Sequence, residues 1–215
     1  KKKKRIKQLS KYSLKIEDFK KLSSYAKKKK IIFFSTPLDF KSAENLKKIQ
    51  KLFKISSGDN NYFDLIKLTC SYGKPVIVST GLADLKLVKK IYKILKNSKK
   101  IEFSKKNFAL LHCVSSYPVP SAQANLSSIG YMKKNFKNIS IGYSDHTIGM
   151  TACFVAASLG ADIIEKHFTL DNNYSKFRDH KLSLNPQDFK EMVTKIREIE
   201  MLVGKKEKII QKCEK

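Results

Sequence analysis

The stretch FALLHCVSSYP at residues 108–118 decides the fold, because it joins an uninterrupted apolar run to a cluster of small polar residues. A continuous apolar run of this length, bounded by polar residues, is typical of a strand that is buried on both faces, as in a parallel sheet. The same pattern predicts five further strands: IIFFSTP at 31–37, LFKISSGD at 52–59, PVIVSTG at 75–81, ISIGYSD at 139–145 and ADIIEKHFT at 161–169.

Segments of helical periodicity alternate with these runs. We predict helices at residues 16–29, 42–52, 84–95, 147–159 and 186–203. The last segment begins with Pro186 and ends before Gly204, which is the asymmetry expected of a helix. Strands and helices that alternate in this way indicate an α/β fold with a parallel sheet.

Two parallel architectures compete, an open doubly wound sheet and a (β/α)₈ barrel. The glycine-rich turn G-x-G-x-x-G of the open sheet is absent from the sequence. Each predicted strand instead ends in its own polar cluster. A site that is built from residues at the ends of all the strands is typical of the barrel. Six predicted β-α units fall short of eight, so we expect an incomplete barrel over residues 1–204, with two units before Lys1, and a charged tail at 205–215.

The chain is strongly basic, with 45 Lys and Arg against 19 Asp and Glu among 215 residues, and a net charge of +26. Arginine is the preferred reader of phosphates and guanine edges, yet only Arg5, Arg178 and Arg197 occur. The lysines are spread along the chain, so we interpret them as a surface coating and expect no nucleic-acid partner.

Two further classes are not favoured by the sequence. No apolar run approaches the roughly 20 residues that span a bilayer, so we expect no membrane association. The four cysteines are widely spaced and form no C-x-x-C pair, which argues against a disulfide framework or a structural zinc cluster. That spacing favours a reducing, cytoplasmic setting.

Two histidines follow neighbouring predicted strands. His146 and His167 would lie side by side on one rim of a barrel, where two imidazoles and water suit a divalent cation. The alternative is a pair of hydrogen-bonding histidines. His112 and Cys113 could add a ligand, although they lie in the middle of a strand. Asp145 directly precedes one candidate ligand and could orient it or face elsewhere.

One lysine and several hydroxyls form a second group of candidate site residues. Lys54 interrupts an apolar strand, and a buried ammonium group is unfavourable unless its charge is paired. We therefore predict that Lys54 points into the barrel and meets an anion, although it could instead extend to solvent from the start of its strand. The predicted phosphate or carboxylate site comprises Thr36, Lys54, Ser57, Ser79, Ser115 and Ser144.

Seven strings of the sequence carry a resemblance to a known family when they are taken in order. The chain is similar to the N-acetylneuraminate (sialic acid) synthase family from about residue 16 to residue 204. The strings are STPLDF, KISSGDNNYFDLIK, GKPVIVSTG, LLHCVSSYPVP, IGYSDHTIG, IEKHFTLD and RDHKLSLNPQDFKEMV.

The resemblance implies a (β/α)₈ barrel and a chemistry. Family members condense phosphoenolpyruvate with an N-acetylated sugar aldehyde, such as N-acetylmannosamine, to give a nine-carbon 2-keto acid and phosphate. The resemblance implies that His146 and His167 bind a Mn²⁺ or Mg²⁺ ion, and that the hydroxyl set with Lys54 binds phosphoenolpyruvate. It implies catalytic roles for Lys54, Asp59 and Asp179, the two acids by contacting sugar hydroxyls.

The chain also departs from the family pattern. The Glu-Ile-Gly-x-Asn-His and Lys-Phe-Gln segments of the family's first two strands are absent, as is the antifreeze-like domain that completes the partner's site in a homodimer. Ser175 to Arg178 stand where the family often has Gly-Pro. One alternative is a legionaminic or pseudaminic acid synthase, which differs in the sugar precursor. The departures add a second alternative, a truncated, inactive barrel that only binds anions.

Overall fold

The computed structural model describes residues 10, 13–175, 177–204 and 207–215. Its strands are β1 (Phe53–Ile55), β2 (Val76–Ser79), β3 (Phe108–Cys113), β4 (Ser140–Asp145) and β5 (Ile164–Lys166). Its helices are α1 (Ile16–Lys28), α2 (Phe40–Lys47), α3 (Phe63–Ser71), α4 (Leu85–Lys96), α5 (Ser127–Asn135), α6 (Thr151–Ser158), α7 (Arg178–Leu182) and α8 (Pro186–Val203).

The strands form one parallel sheet in chain order, β1-β2-β3-β4-β5. A helix lies in each connection, as α3, α4, α5 and α6 in turn return the chain to the start of the next strand. Every strand therefore ends at the same edge of the sheet. This edge is where side chains from all five strands can meet.

Alternation along the strands gives the sheet two different faces. The outer face packs against the helices in one apolar core, which includes Phe53, Ile55, Val76, Val78, Phe108, Leu110, Ile141 and Tyr143. Ile91 and Leu95 of α4 are fully buried against it, and burial of each such side chain contributes about 1.5–3 kcal/mol. The residues between these positions point to the inner face, where Lys54, Ser79, Ser144 and Glu165 lie.

The sheet curls around its inner face. Strands lie about 4.8 Å apart, so a flat sheet would hold β1 and β5 roughly 19 Å from each other. The Nζ of Lys54 in β1 nevertheless lies 3.3 Å from Oε1 of Glu165 in β5. A lysine and a glutamate can meet across three intervening strands only if the sheet is strongly curved. The described strands thus form an incomplete barrel, as predicted.

One of the six predicted strands is wrong. Residues 31–37 form neither a helix nor a strand in the structure, and Ile31 and Ile32 are 66% and 62% exposed. The amide of Ser35 donates to Oε1 of Gln50 rather than to a strand. An apolar run forms a strand only when a neighbouring backbone pairs with it, and the described residues give this one no such partner.

The predicted helices are found, with shifted ends where side chains cap them. Asp39 accepts a hydrogen bond from the Ser42 amide, so α2 begins before the predicted position. Asp84 caps α4 through the Leu87 amide. The helix predicted from residue 147 begins at Thr151, because residues 146–150 form the turn that leaves β4.

The C-terminal part is arranged around α8, which packs on α6. Asn185 caps α8 through the amides of Gln187 and Asp188, and the helix ends at Val203, before Gly204. Residues 207–215 are exposed. None of the helices in the described part of the chain is long and apolar enough to cross a membrane.

Candidate active site

His146 and His167 lie together where β4 and β5 end. Their ring centroids are 5.2 Å apart and the rings are tilted by 67°. Nδ1 of His146 lies 2.9 Å from the carbonyl oxygen of Val114. Because a carbonyl only accepts, this bond assigns the proton to Nδ1 and leaves the lone pair of Nε2 free. The predicted proximity of the two histidines is therefore found in the structure.

The two imidazoles have different electrostatic surroundings. Burial, with the charge of His146 beside it, lowers the pKa of His167 below its ordinary value. Burial acts on His146 in the same direction, but hydrogen bonds with Cys113 and Val114 outweigh it and raise the pKa of His146. A neutral imidazole is the form that binds a metal ion, so His167 is held in the binding form over the wider pH range.

Two neighbouring imidazoles fit a divalent cation that keeps water or substrate ligands. The described residues contain no group of three or more His, Cys, Asp or Glu that could hold a metal by themselves. Catalytic zinc normally takes three protein ligands, whereas a six-coordinate ion can complete its shell with oxygen atoms from water and substrate. The free Nε2 of His146 is consistent with that arrangement.

His112 and Cys113 do not extend this pair. His112 points to the outer face, where Nε2 bonds to the carbonyl oxygen of Ala124 and the ring stacks on Tyr143. Sγ of Cys113 lies 3.8 Å from Nδ1 of His146, on the side of the ring opposite to Nε2. Neither residue is placed to share a cation with the Nε2 atom.

Lys54 lies on the inner face as predicted, and its partner is Glu165. The Lys54 side chain is 12% exposed and that of Glu165 is 35% exposed. Oγ of Ser144 donates to the same Glu165 oxygen at 2.8 Å. The ammonium group is thus paired within the site and not with solvent.

Ser57 and Ser115 converge on a glycine. The amide of Gly81 donates to Oγ of Ser57 at 3.0 Å. A Cβ at Gly81 would collide with the hydroxyls of both Ser57 and Ser115. Asn60 supports this turn, because Nδ2 donates to the carbonyl oxygen of Gly81 at 2.8 Å. Only glycine lets the two hydroxyls approach each other here.

The hydroxyl of Ser79 is buried without a hydrogen-bond partner among the described residues. The residue is 2% exposed. A buried hydroxyl left without a hydrogen bond is unfavourable by about 1–3 kcal/mol. Thr36 is half-buried in the irregular segment 31–37, and no hydrogen bond joins it to the other hydroxyls in the described structure.

Cys113 joins the hydroxyl set to the histidines. Burial alone raises the pKa of its thiol. Hydrogen bonds with His146, Ser57 and Ser144 outweigh burial and leave the pKa below its ordinary value. The thiol therefore contacts both groups of predicted residues. Cys113 thus links Ser57 and Ser144 of the predicted anion-binding set to the histidine pair.

The predicted acids occupy different positions. Asp59 is half-buried, and its carboxylate accepts a hydrogen bond from Oγ of Ser56 at 2.6 Å. Asp179 lies in the first turn of α7, and its charge acts on His167. Asp145 does not contact the imidazoles, since it faces the outer side of the sheet and pairs with Lys166 at 2.7 Å.

Two residues of the site were not assigned by the sequence patterns. No pattern assigned a role to Glu165, because its link to Lys54 depends on sheet curvature that no local pattern reveals. The ring of Tyr117 lies 4.1 Å from that of His146 and 5.7 Å from that of His167, centroid to centroid. Its position in SSYP directly after a strand was the only available signal.

The fold and site together define a parallel (β/α) barrel with its polar site at the carboxyl ends of the strands. The NeuB family model matches residues 1–208, so the chain belongs to the NeuB family.

Individual relatives agree with this assignment. An uncharacterized protein of Methanocaldococcus jannaschii is 46% identical over 194 residues, covering 90% of this chain and 56% of the relative. The N,N'-diacetyllegionaminic acid synthase of Campylobacter jejuni is 40% identical over 201 residues, covering 93% and 58%. The chain therefore spans little more than half the length of these relatives.

A solved structure has the same fold. The N-acetylneuraminic acid (sialic acid) synthetase of Leptospira borgpetersenii, in complex with citrate, superposes with a TM-score of 0.87 and 34% identity. The match covers 94% of this chain and 68% of that one. The incomplete barrel predicted from the sequence is thereby confirmed.

Proposed function

We propose that this chain carries the phosphoenolpyruvate and metal sites of a sialic acid-type synthase. The reaction joins C3 of phosphoenolpyruvate to the aldehyde carbon of an open-chain N-acetylated sugar. Water adds at C2, and cleavage of the C2–O bond releases phosphate. The product is a nine-carbon 2-keto sugar acid if the acceptor is N-acetylmannosamine or a related hexose.

The buried ammonium of Lys54 on the inner face, with the unpartnered hydroxyl of Ser79 at the strand ends, is the observation that carries the proposal. Phosphoenolpyruvate has a phosphate and a carboxylate, so it offers acceptors to an ammonium group and to several hydroxyls at once. The hydroxyls of Ser57 and Ser115, close together at Gly81, add donors of the same kind.

These residues would act by binding and orienting the substrate. Lys54 and the serine hydroxyls hold the two charged ends of phosphoenolpyruvate, which fixes the direction of C3. One oxygen of Glu165 contacts both Lys54 and Ser144 in the structure. The phosphate of a bound substrate would replace Glu165 as the partner of the Lys54 ammonium group. Asp59 and Asp179 supply carboxylates for the sugar hydroxyls.

The Nε2 atom of His146 and the ring of His167 would hold a divalent cation, for which we propose Mn²⁺ or Mg²⁺. A cation bound there supplies Lewis-acid polarisation of an aldehyde oxygen and a fixed orientation for it. The Val114 carbonyl keeps the His146 ring in the required tautomer. The ring of Tyr117 packs against both imidazoles, with its centroid 4.1 Å from that of His146 and 5.7 Å from that of His167.

The relatives support this reaction class and leave the acceptor open. Similarity to a legionaminic acid synthase and to a sialic acid synthetase favours an N-acetylated sugar. We further propose that the protein is cytoplasmic and works as a homodimer, because its resemblance to the sialic acid synthase family implies a partner subunit that completes the sugar site.

The test is phosphate release. The purified protein is mixed with phosphoenolpyruvate, Mn²⁺ and one acceptor at a time, chosen from N-acetylmannosamine, its 6-phosphate and a 2,4-diacetamido hexose. We expect release with one acceptor, and its loss in His146→Ala and in a metal-chelated sample. Lys67→Met, which changes an exposed lysine paired with Asp64 on α3, is the matched control and should behave as wild type.

Two outcomes would contradict the proposal. Phosphate release that persists in the metal-stripped His146→Ala, His167→Ala double variant would overturn the metal assignment. Binding of phosphoenolpyruvate by calorimetry, without turnover of any acceptor, would instead favour the truncated barrel that only binds anions.

A further inference from the structure

A buried ion pair lies directly behind the two histidines, on the outer face of the sheet. Nζ of Lys166 lies 2.7 Å from Oδ2 of Asp145, and both side chains are fully buried. The register of β4 and β5 places these two residues opposite each other. Each of them immediately precedes one histidine, so the pair joins the two strand ends that carry the imidazoles.

The same pair holds the chain on both sides of His146. Oδ1 of Asp145 accepts hydrogen bonds from the Thr147 amide at 2.8 Å and from the Tyr143 hydroxyl at 2.9 Å. Nζ of Lys166 donates to the Thr147 carbonyl oxygen at 2.6 Å. The residue before His146 and the residue after it are therefore fixed by one network, which leaves its backbone little freedom to rotate.

Stability alone is a weak explanation for this arrangement. The desolvation of two buried charges can exceed their attraction, and apolar residues of similar size often stabilise a core as well. A buried and fully hydrogen-bonded pair does, however, define a single geometry. Because successive side chains alternate between the faces of a strand, fixing the outward pair also fixes the positions of the inward imidazoles that follow.

We propose that Asp145 and Lys166 are positioning residues that set the spacing of His146 and His167 for a divalent cation. The inference rests on the proposed metal role of the histidines. It predicts that the ion pair matters for metal affinity beyond its effect on folding.

The fold supplies a matched control at the other end of the same two strands. Nζ of Lys133 lies 3.3 Å from Oδ1 of Asp162, and Oδ2 of Asp162 accepts a hydrogen bond from the Ile141 amide at 3.0 Å. Both side chains of this pair are 32% exposed. It also links β4 to the segment that enters β5, but it lies at the amino ends of the strands, away from the histidines.

The experiment measures Mn²⁺ affinity and thermal unfolding for each variant of the purified protein. Free Mn²⁺ is counted by electron paramagnetic resonance, and unfolding is followed by circular dichroism. The variants are Lys166→Met, the neutral double variant Asp145→Asn/Lys166→Met, Lys133→Met and His146→Ala. Lys166→Met leaves the buried carboxylate of Asp145 without its partner, which can prevent folding. The double variant removes both charges and is used in that case.

We expect Lys166→Met and the double variant to bind Mn²⁺ about 10- to 100-fold more weakly, as is typical when residues that orient metal ligands are changed. Lys133→Met should lower the unfolding temperature and keep the affinity of the wild type. Wild-type affinity in the folded double variant would overturn the inference, as would an equal loss in Lys133→Met. If His146→Ala binds Mn²⁺ as the wild type does, the metal assignment itself fails, and the inference fails with it.

Discussion

Replacing the two ends of the Lys54–Glu165 ion pair should change the affinity for phosphoenolpyruvate in opposite directions. Lys54→Met removes the ammonium group that binds the anion, so affinity should fall. Glu165→Gln removes a competing carboxylate from Lys54 and a negative charge from the site, so affinity should rise.

The size of the effect follows from the geometry of the pair. At the observed 3.3 Å, the attraction of two unit charges is about 5 kcal/mol at the effective dielectric constant of 20 that suits sites near a surface. Glu165 is 35% exposed, so solvent screening reduces the net contribution to about 1–2 kcal/mol. We therefore expect Glu165→Gln to bind phosphoenolpyruvate about 5- to 30-fold more tightly. Lys54→Met should lose a charged hydrogen bond of about 1.5–3 kcal/mol, or roughly 10- to 150-fold in affinity.

Isothermal titration calorimetry of phosphoenolpyruvate measures both changes. Lys67→Met is the control, since Lys67 and Asp64 form an exposed pair 3.0 Å apart on α3. A fall in affinity for both Lys54→Met and Glu165→Gln would refute the reasoning. It would mean that the ion pair maintains the structure of the site and that Glu165 does not compete with phosphoenolpyruvate for Lys54.

Three further outcomes are expected. Gly81→Ala should displace the Ser57 and Ser115 hydroxyls and lower phosphoenolpyruvate affinity by about tenfold, as for the loss of one hydrogen bond; calorimetry with unchanged affinity would contradict this. Gly142→Ala should destabilise the fold by about 1–3 kcal/mol in urea unfolding, because a Cβ there would lie 2.5 Å from the neighbouring backbone, and wild-type stability would argue against the close packing. Burial lowers the pKa of His112, so the unfolded chain takes up a proton that the folded one does not, and stability should fall as the pH drops below about 6.5. The pH dependence of unfolding should be weaker in His112→Gln, and an unaltered profile would exclude this histidine as its source.

The local patterns predicted most of the fold. Strands β2, β3 and β4 coincide with apolar runs that end in small polar residues, because a strand buried on both faces leaves a continuous apolar signal. The run at 31–37 gave the same signal without pairing, since a ladder needs a neighbouring backbone and the sequence pattern does not report one.

The sequence predicted several residues of the site but not the contacts between them. His146 and His167 could be chosen because each follows a strand end, which a parallel sheet brings to one edge. Lys54 could be chosen because a lysine that interrupts an apolar strand needs a partner for its charge. The contact of Lys54 with Glu165 could not be predicted, because it depends on the curvature of the whole sheet. The outward direction of Asp145 follows from the alternation of side chains along β4, which fixes its face once the register is known.

The bridge between β1 and β5 also has a consequence for how the molecule acquires its structure. Lys54 and Glu165 lie far apart in the chain, whereas the outer core is built from strands and helices that are neighbours in sequence. Contacts of long sequence separation form late, because the closure of a long loop must precede them. During synthesis, Lys54 leaves the ribosome well before its carboxylate partner. The inner face should therefore be the last part of this chain to become ordered, after the helical layer around it has already folded.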